Sequence, residues 1–486
     1  MRFEEVIKGI KIVEACGDLT LNIEGISCDS RTVEPNCLFV AIKGERNDGH
    51  LFIKEALNRG ASALLVERRI EGVNVPYVLV EDTKAALGQV ASNFYGHPSK
   101  EMRLIGITGT NGKTTTTYLL ESIIKKAGFE VGVIGTINYR WNGIEKEALN
   151  TTPSALYLQQ LLDEMRRAGV KYVVMEVSSH ALVQKRVKGC HFDVGLFTNI
   201  SPEHLDYHKT MEEYLRAKAL LFEEVLRESE KETWAIYNAD DPKVKEVGER
   251  AVCSKRLSFG KEGDIRPLSF KENKEGIWTL FETPWGEVEV TSPLVGLFNL
   301  YNLMAALGVS LALGIDKEAI KEGIAGFKGV PGRMEKIKEN PLVIVDYAHT
   351  PDALEKVLKE LKKLTSGRLI VVFGCGGERD RTKRPLMGRI ASRLASLVVL
   401  TSDNPRGEDP VRIIEEIKQG LLEGVPYLII PDRREAIKEA IRRAQKEDTV
   451  LIAGKGHETY QIIGNERIPF DDRIEAKRAL EERGWS

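Results

Sequence analysis

In a chain of 486 residues, 70 Lys and Arg nearly balance 72 Asp and Glu, and the formal net charge of -2 leaves no basic excess for nucleic acid or an anionic membrane. The six cysteines, at 16, 28, 37, 190, 253 and 375, form no C-x-x-C pair and repeat no spacing, so they indicate neither a disulfide framework nor a zinc ribbon and fit a reducing compartment. The length exceeds one ordinary core of about 100 to 200 residues, and three domains are expected.

The N-terminal stretch MRFEEVIKGIKIVEACGD mixes acids into its apolar positions, unlike a signal peptide. No apolar run approaches the roughly 18 residues of a membrane span, so a soluble cytoplasmic protein is expected. Short runs LFVAI, ALLVE and YVLVE alternate with helical patterns such as HLFIKEALNRG, which describes a small α/β domain over residues 1–98. A second region, 99–330, carries RLIGIT, VGVIGT, KYVVMEV, VGLFTNI and WAIYN, near-continuous strands of a parallel, doubly wound sheet. Residues 260–292 alternate like antiparallel strands, an excursion on this central domain. The third region, 331–486, repeats the doubly wound pattern with LVIVDY, RLIVVFG, SLVVLTS, YLII and TVLIAGKG. The fold class is therefore α/β in three domains: a small N-terminal unit, a central P-loop ATPase-like unit and a C-terminal Rossmann-like unit.

Between a strand and a helix lies GITGTNGKTTTT, residues 106–117. Glycines let backbone amides crowd around phosphate oxygens, the helix N-terminus adds partial positive charge, and Lys113 supplies a point charge. Thr114 is placed for Mg²⁺. A strict Walker pattern would need glycine at Ile107, so this is a variant loop. No N-K-x-D base reader follows, which disfavours a switch GTPase.

Glu176, near the end of KYVVMEV, is placed to hold Mg²⁺ beside the phosphate loop, or to be a solvated strand-end acid. His204 and His208 stand at i, i+4, but no HExxH pattern or third soft ligand accompanies them, and His204 is better used near magnesium and phosphate. Lys218 shares a helical stripe with Tyr214, Leu215, Leu221, Phe222 and Val225. Read from the residues, it either snorkels to water or is buried with a lowered pKa, able as a free amine to add CO₂ and become a carbamate.

Taken in order, GTNGKTT, NTTPSA, MEVSSHALVQKR, NISPEHLDYH, YLRAKALLF, GLFNLYNLMAA, PGRME, DYAHTPDAL and GKGHE resemble the Mur ligase family over essentially the full length. The resemblance implies a cytoplasmic step of peptidoglycan synthesis. ATP phosphorylates the D-Glu side-chain carboxylate of UDP-MurNAc-L-Ala-D-Glu, and an amino acid's amine attacks the acyl phosphate, giving an amide, ADP and phosphate. It also implies roles. Gly109, Thr110, Asn111, Gly112, Lys113, Thr114 and Thr115 would bind ATP, with Asn302 at adenine and Arg333, Asp346 and His349 on the ATP side of the third domain. Thr114, Glu176, His204 and Lys218, the last as N6-carboxylysine, would surround Mg²⁺; Lys113, Glu176, His204 and Lys218 would be catalytic. Ser30, with the Glu45-Arg46-Asn47 loop beside it, would meet the uridine nucleotide. Asn150, Thr151, Thr152, Ser178, Gln184 and Arg186 would meet the muramoyl-dipeptide.

Three loops of the third domain, GCGGERD, DNPR and GKGHE, each follow an expected strand, and such loops gather at one rim of a doubly wound sheet. They carry Arg379, Arg406 and Glu458: two guanidiniums for two carboxylates and an acid for an ammonium. The matching ligand is a diamino-dicarboxylic acid, and in the family DNPR marks meso-diaminopimelate ligases. Asp403, Asn404, Pro405, Arg406, Arg379, Gly454 and Glu458 are its expected contacts. Asp409 and Pro410 already supply an N-cap and first-turn residue for the helix that follows, so capping does not explain DNPR. The same reaction with L-lysine, a folylpolyglutamate synthetase and a regulatory P-loop NTPase are the competing readings. A monomer is expected.

Overall fold

The computed structural model of the chain describes residues 1–44, 47–273 and 275–485. Glu45 and Arg46, expected beside Ser30, lie outside the described residues. Packing divides the chain into two compact units, where the sequence suggests three domains. Met1–Leu268, Leu280–Glu289 and Tyr301–Ile324 form one; Ser269–Thr279, Val290–Leu300 and Ala325–Ser486 form the other.

The first unit holds two sheets. Strands β1 (Ile12–Cys16), β2 (Gly25–Ser27), β3 (Cys37–Val40), β4 (Ala61–Val66) and β5 (Tyr77–Val80) form a five-stranded sheet in the order β1-β5-β4-β3-β2. Only β1 runs antiparallel to its neighbour. The core of this sheet also takes in Ala155 and Leu156, from the helix Ala155–Arg167 of the region expected to be a separate domain. That shared core is why the first two α/β regions group as one unit.

Strands β6 (Arg103–Thr108), β7 (Val131–Ile134), β8 (Asn138–Trp141), β9 (Ile144–Glu147), β10 (Tyr172–Glu176), β11 (Val194–Phe197), β12 (Trp234–Asn238) and β13 (Lys255–Phe259) build an eight-stranded sheet. Its order is β13-β12-β11-β6-β10-β7-β8-β9, parallel from β13 to β7, with β8 and β9 antiparallel. The central strands are buried on both faces, which explains their unbroken Val/Ile/Leu runs. The chain leaves β6 toward β7 on one side and later reaches β11 on the other. The carboxyl ends of β6 and β11 are therefore a topological switch point, the usual ligand crevice of such sheets.

Residues 266–292 fold into three strands, β14 (Arg266–Glu272), β15 (Ile277–Glu282) and β16 (Val288–Ser292), as the alternation suggests. The excursion is not wholly a part of the central region. Val295 is buried in the core of the second unit and Phe298 packs on it, so residues 290–300 group there.

In the second unit, β17 (Glu335–Glu339), β18 (Leu342–Asp346), β19 (Leu369–Phe373), β20 (Leu397–Leu400), β21 (Tyr427–Ile429) and β22 (Thr449–Ala453) run in the order β17-β18-β22-β19-β20-β21. Every pair is parallel except β17 with β18. A hairpin, β23 (Tyr460–Ile463) and β24 (Glu466–Pro469), follows β22. The helix Pro351–Leu364 shows why local sequence suffices here. Thr350 caps it by accepting from the Ala353 amide, proline fills its first position, and Leu354, Val357, Leu358 and Leu361 make one buried stripe. Pro410–Lys418 is built the same way, with Asp409 accepting from Val411 N. Among the described residues no helix is long and apolar enough to cross a membrane.

Candidate functional site

The loop after β6 is shaped by its glycines. Gly109 has φ 137° and Gly112 φ 89°, conformations that L side chains rarely adopt. A Cβ on Gly109 would lie 1.9 Å from Thr198 Oγ1, and one on Gly112 would lie 2.4 Å from Asn302 Oδ1. The buried Asn302 is thus seated against the loop. The end of β11 clamps it from the other side: Thr198 Oγ1 donates to the Asn111 carbonyl (2.7 Å), and Asn199 exchanges two hydrogen bonds with the Asn111 backbone (3.0 Å each). Ser201 N donates to Thr110 Oγ1 (3.0 Å). Thr198, Asn199 and Ser201 sit in or beside a motif that marks the family, but their grip on the loop has no sequence signal. Thr114 and Thr115 follow in the first turn of the helix Lys113–Lys126, Thr114 buried.

Two lysines converge on one oxygen. Lys113 Nζ donates to the carbonyls of Gly109 (2.8 Å) and Thr110 (2.9 Å), and Lys218 Nζ donates to the same Gly109 carbonyl (2.7 Å). Lys218 sits on Met211–Leu220, capped by Thr210 and followed by a π-helical turn, Leu221–Val225. Its side chain is 2% exposed and runs inward, over the Tyr214 ring at 4.6 Å, so it does not snorkel. Burial, and then the charge of Lys113, hold its pKa well below the ordinary lysine value. That favours the free amine.

Glu176 is 1% exposed and not a solvated strand end. Thr136 holds both its oxygens, through the amide to Oε1 and the hydroxyl to Oε2 (3.0 Å each). His204 lies at the start of the short helix Leu205–His208. The helix begins at Leu205, and His204 precedes it with φ 56°, so it shares no helical face with His208. His208 is instead buried, its Nε2 2.8 Å from Ser179 Oγ. The rings of His180 and His204 stack edge to face at 5.0 Å. The oxygen donors Thr114 and Glu176 are hard ligands of the kind Mg²⁺ takes.

Of the residues expected at the dipeptide, Thr151, Thr152, Ser178, Gln184 and Arg186 form one hydrogen-bonded chain around Glu176. Thr151 Oγ1 lies 3.1 Å from Thr136 Oγ1; Thr152 Oγ1 donates to the Glu176 carbonyl (2.8 Å) and accepts from Ser178 N (3.0 Å). Arg186 donates to the Thr152 carbonyl (2.8 Å) and, through Nε (3.0 Å) and Nη2 (2.6 Å), to Gln184 Oε1. Burial lowers its pKa. The Asn150 carbonyl accepts from the Tyr139 hydroxyl (2.5 Å). Ser30 is not part of this chain; it donates to Glu55 (2.9 Å) near the first sheet.

In the second unit, the buried Asp346 accepts from Met334 N (2.7 Å) and Ala348 N (2.8 Å). Burial raises its pKa, and Arg333 opposes this. Arg333 lies over the Tyr347 ring (4.5 Å), and His349 Nδ1 is 2.8 Å from the Tyr347 carbonyl, which makes Nδ1 the protonated nitrogen. The three loops at the carboxyl ends of β19, β20 and β22 do meet. Gly377 N donates to the Asn404 carbonyl (2.9 Å), and Asn404 Nδ2 donates to Glu458 Oε2 (2.9 Å). A Cβ on Gly376 would fall 3.0 Å from Arg406 Nη1 and 3.7 Å from Arg379 Cγ, so both arginines flank it. A Cβ on Gly454 would fall 2.6 Å from Asp403 Oδ2. Pro405 turns the chain into Arg406, whose φ is 52°.

Beneath these loops lies Arg384, fully buried. It donates to Glu408 (2.9 Å, twice), to Glu416 (2.8 Å) and to the Gly376 carbonyl (3.2 Å), while Glu408 also accepts from Glu378 N. This strut ties the loop of Arg379 to that of Arg406. Arg384→Met is expected to cost about 2 to 3 kcal/mol in denaturant unfolding, because it strands two partly exposed carboxylates. Hydrogen bonds from Arg384 hold the Glu408 carboxyl at about 2, below its ordinary 4.5, so the strut's contribution is present above about pH 4.5 and lost as pH falls toward 2.

Comparison with known proteins follows the same outline. Residues 22–95 match the model described as Mur ligase family, catalytic domain; 107–310 match the Mur ligase middle domain; and 332–456 match the Mur ligase glutamate ligase domain. A UDP-N-acetylmuramoyl-L-alanyl-D-glutamate--2,6-diaminopimelate ligase of Gloeobacter violaceus is 48% identical over 468 residues, 95% of each chain. The protein of that name from Bacillus licheniformis is 45% identical over 99% of each. A solved structure bearing the same name superposes with a TM-score of 0.74 at 35% identity, covering 100% of both chains.

Proposed function

The chain belongs to the Mur ligase family, and we infer that it is the ATP-dependent ligase that joins 2,6-diaminopimelate to UDP-N-acetylmuramoyl-L-alanyl-D-glutamate in peptidoglycan synthesis. The observation that carries the choice of amino acid is the rim of the second unit. Arg379 and Arg406 flank one glycine, and Asn404 reaches Glu458. Two guanidiniums and a carboxylate match two carboxylates and an ammonium.

A carboxylate is a poor electrophile until one oxygen becomes part of a leaving group. Transfer of the γ-phosphoryl group of ATP to the D-Glu side-chain carboxylate releases ADP and leaves an acyl phosphate. The amine's lone pair then attacks the carbonyl carbon; the C–N bond forms, the C–O bond breaks, phosphate departs and the nitrogen loses a proton. The loop Gly109–Thr115, with Lys113, cradles the phosphates, and Asn302 meets adenine. Arg333, Asp346 and His349 are the remaining ATP-binding residues on this reading. Asn150, Thr151, Thr152, Ser178, Gln184 and Arg186 orient the dipeptide, and Ser30 meets its nucleotide. Thr114, Glu176, His204 and a carbamylated Lys218 would hold Mg²⁺, which when bound screens the charge that collects on the phosphates. The meso isomer is the substrate on this reading, the enzyme works as a cytoplasmic monomer, and Asp403, Pro405 and Gly454 complete its amino-acid pocket.

ADP release is expected to require both the UDP-dipeptide and diaminopimelate, and to be far slower with L-lysine. An unpaired Arg406 facing lysine disfavours it by factors of up to about 10⁴. Steady ADP release without either substrate would point to a switch NTPase, and equal rates with lysine would remove the second carboxylate from the reading.

A further inference from the structure

Lys455 lies between Gly454 and the GKGHE glutamate, yet its side chain is 0% exposed. A buried ammonium is costly unless its protons are taken up. Here Nζ donates to Asn404 Oδ1 (3.1 Å) and to Glu458 Oε2 (3.0 Å), and it lies 5.6 Å from the Tyr460 ring centroid. One cation thus bridges the DNPR loop after β20 and the GKGHE loop after β22.

The bridge decides an orientation. Asn404 Oδ1 accepts from Lys455 Nζ and also from Ile462 N (2.9 Å), and both are donors only. The side-chain nitrogen must therefore face Glu458, where Nδ2 donates to Oε2 (2.9 Å). Lys455 and Asn404 occupy the same carboxylate oxygen. Their combined pull fixes the rotation of the Glu458 carboxylate and commits Oε2, leaving Oε1 outside both bonds. The neighbouring residues carry the consequence onward, since Ile462 also accepts from Arg406 N (3.0 Å).

We propose that Lys455 is a positioning residue for amino-acid recognition, locking the Asn404 amide and the Glu458 carboxylate in the one arrangement that leaves a single carboxylate oxygen for the substrate's ammonium. This rests on the reading of Glu458 as the ammonium acceptor. A salt bridge that only stabilised the unit would need neither a shared oxygen nor an oriented amide.

The test uses the full-length protein with Lys455→Met and Lys455→Arg, diaminopimelate and ATP being varied in turn with the other substrates at saturation. The KM for diaminopimelate is expected to rise roughly 30-fold or more in Lys455→Met. The KM for ATP should stay within about 2-fold, as for loss of an interaction confined to one substrate. Lys455→Arg, which keeps a cation and several donors, should show a smaller rise. A second readout needs no turnover: with ¹⁵N-labelled asparagine, the Asn404 side-chain amide protons should exchange slowly in the wild type and rapidly in Lys455→Met. Parallel losses in kcat and both KM values, or unaltered Asn404 signals, would overturn the proposal and leave a structural ion pair. If the wild type ignores diaminopimelate while the Asn404 signals still respond to Lys455→Met, the choice of amino acid is wrong and the positioning role stands.

Discussion

Lys218→Ala is expected to lower kcat by roughly 10³-fold, the scale on which removing a preorganised charged group from a phosphoryl-transfer site acts, and to regain part of the rate when formate or acetate is added. The expectation begins with burial. Lys218 and Lys113 donate to one carbonyl, that of Gly109, and Lys218 is 2% exposed. Burial disfavours the charged form, and the Lys113 ammonium on the same acceptor adds repulsion, so the pKa of Lys218 lies well below its ordinary value. On the proposed reading the free amine would add CO₂ with loss of a proton, and the carbamate would place a negative charge suited to Mg²⁺ beside the phosphate loop. Lys218→Arg keeps the charge but forms no carbamate, and it should be as impaired as the alanine variant. Initial rates with and without added carboxylate decide the matter. A wild-type rate in Lys218→Ala would make the lysine purely structural, whereas a slow variant that no carboxylate rescues would mean that the ammonium itself acts on the loop.

The second large effect is expected at Arg406. Its replacement by alanine should reduce kcat/KM for diaminopimelate by about 10²-fold or more, the usual cost of truncating one partner of a desolvated, hydrogen-bonded charge pair. The KM for ATP should be almost unchanged. The backbone holds Arg406 at φ 52° by two hydrogen bonds to the hairpin, from its own amide to the Ile462 carbonyl (3.0 Å) and from Gly464 N to its carbonyl (2.8 Å). A left-handed arginine is held there against its own preference, at a cost of about 1 to 3 kcal/mol. Nη1 is anchored to the Gly377 carbonyl (2.8 Å), which sets the plane of the guanidinium fork. Lysine cannot present that fork, so Arg406→Lys should recover little. The preference for diaminopimelate over L-lysine should narrow in both variants; an unchanged preference would remove Arg406 from recognition.

Much of this was legible in advance, for reasons that differ from residue to residue. The phosphate loop could be read because strand, glycines, lysine and helix are contiguous, and Gly109 and Gly112 answer the loop's own positive φ. The cap of Pro410–Lys418 was legible because Asp409 and Pro410 act within one turn. The i, i+4 spacing of His204 and His208 does not by itself say whether they share a helix face, because helix starts are set by a residue or two; His204, at φ 56°, precedes the helix. The packing of Ala155 and Leu156 into the core of the first sheet has no local signal, because they look like ordinary helix-face residues until that sheet covers them.

Composition, hydrophobic period and short motifs thus sufficed for the α/β class, the strands β3 to β7, β10 to β12 and β18 to β22, the strand-glycine-lysine-helix loop and the three rim motifs, since each is written within a span of about ten residues where steric and hydrogen-bonding rules act locally. Strand order in space was needed for the rest. Lys218 meets Gly109 across 109 residues, Thr136 meets Glu176 across 40, and Lys455 meets Asn404 across 51. Whether a lysine in an apolar stripe reaches water or a carbonyl depends on what covers that stripe, and what covers it is settled only when distant strands pack side by side and exclude the solvent.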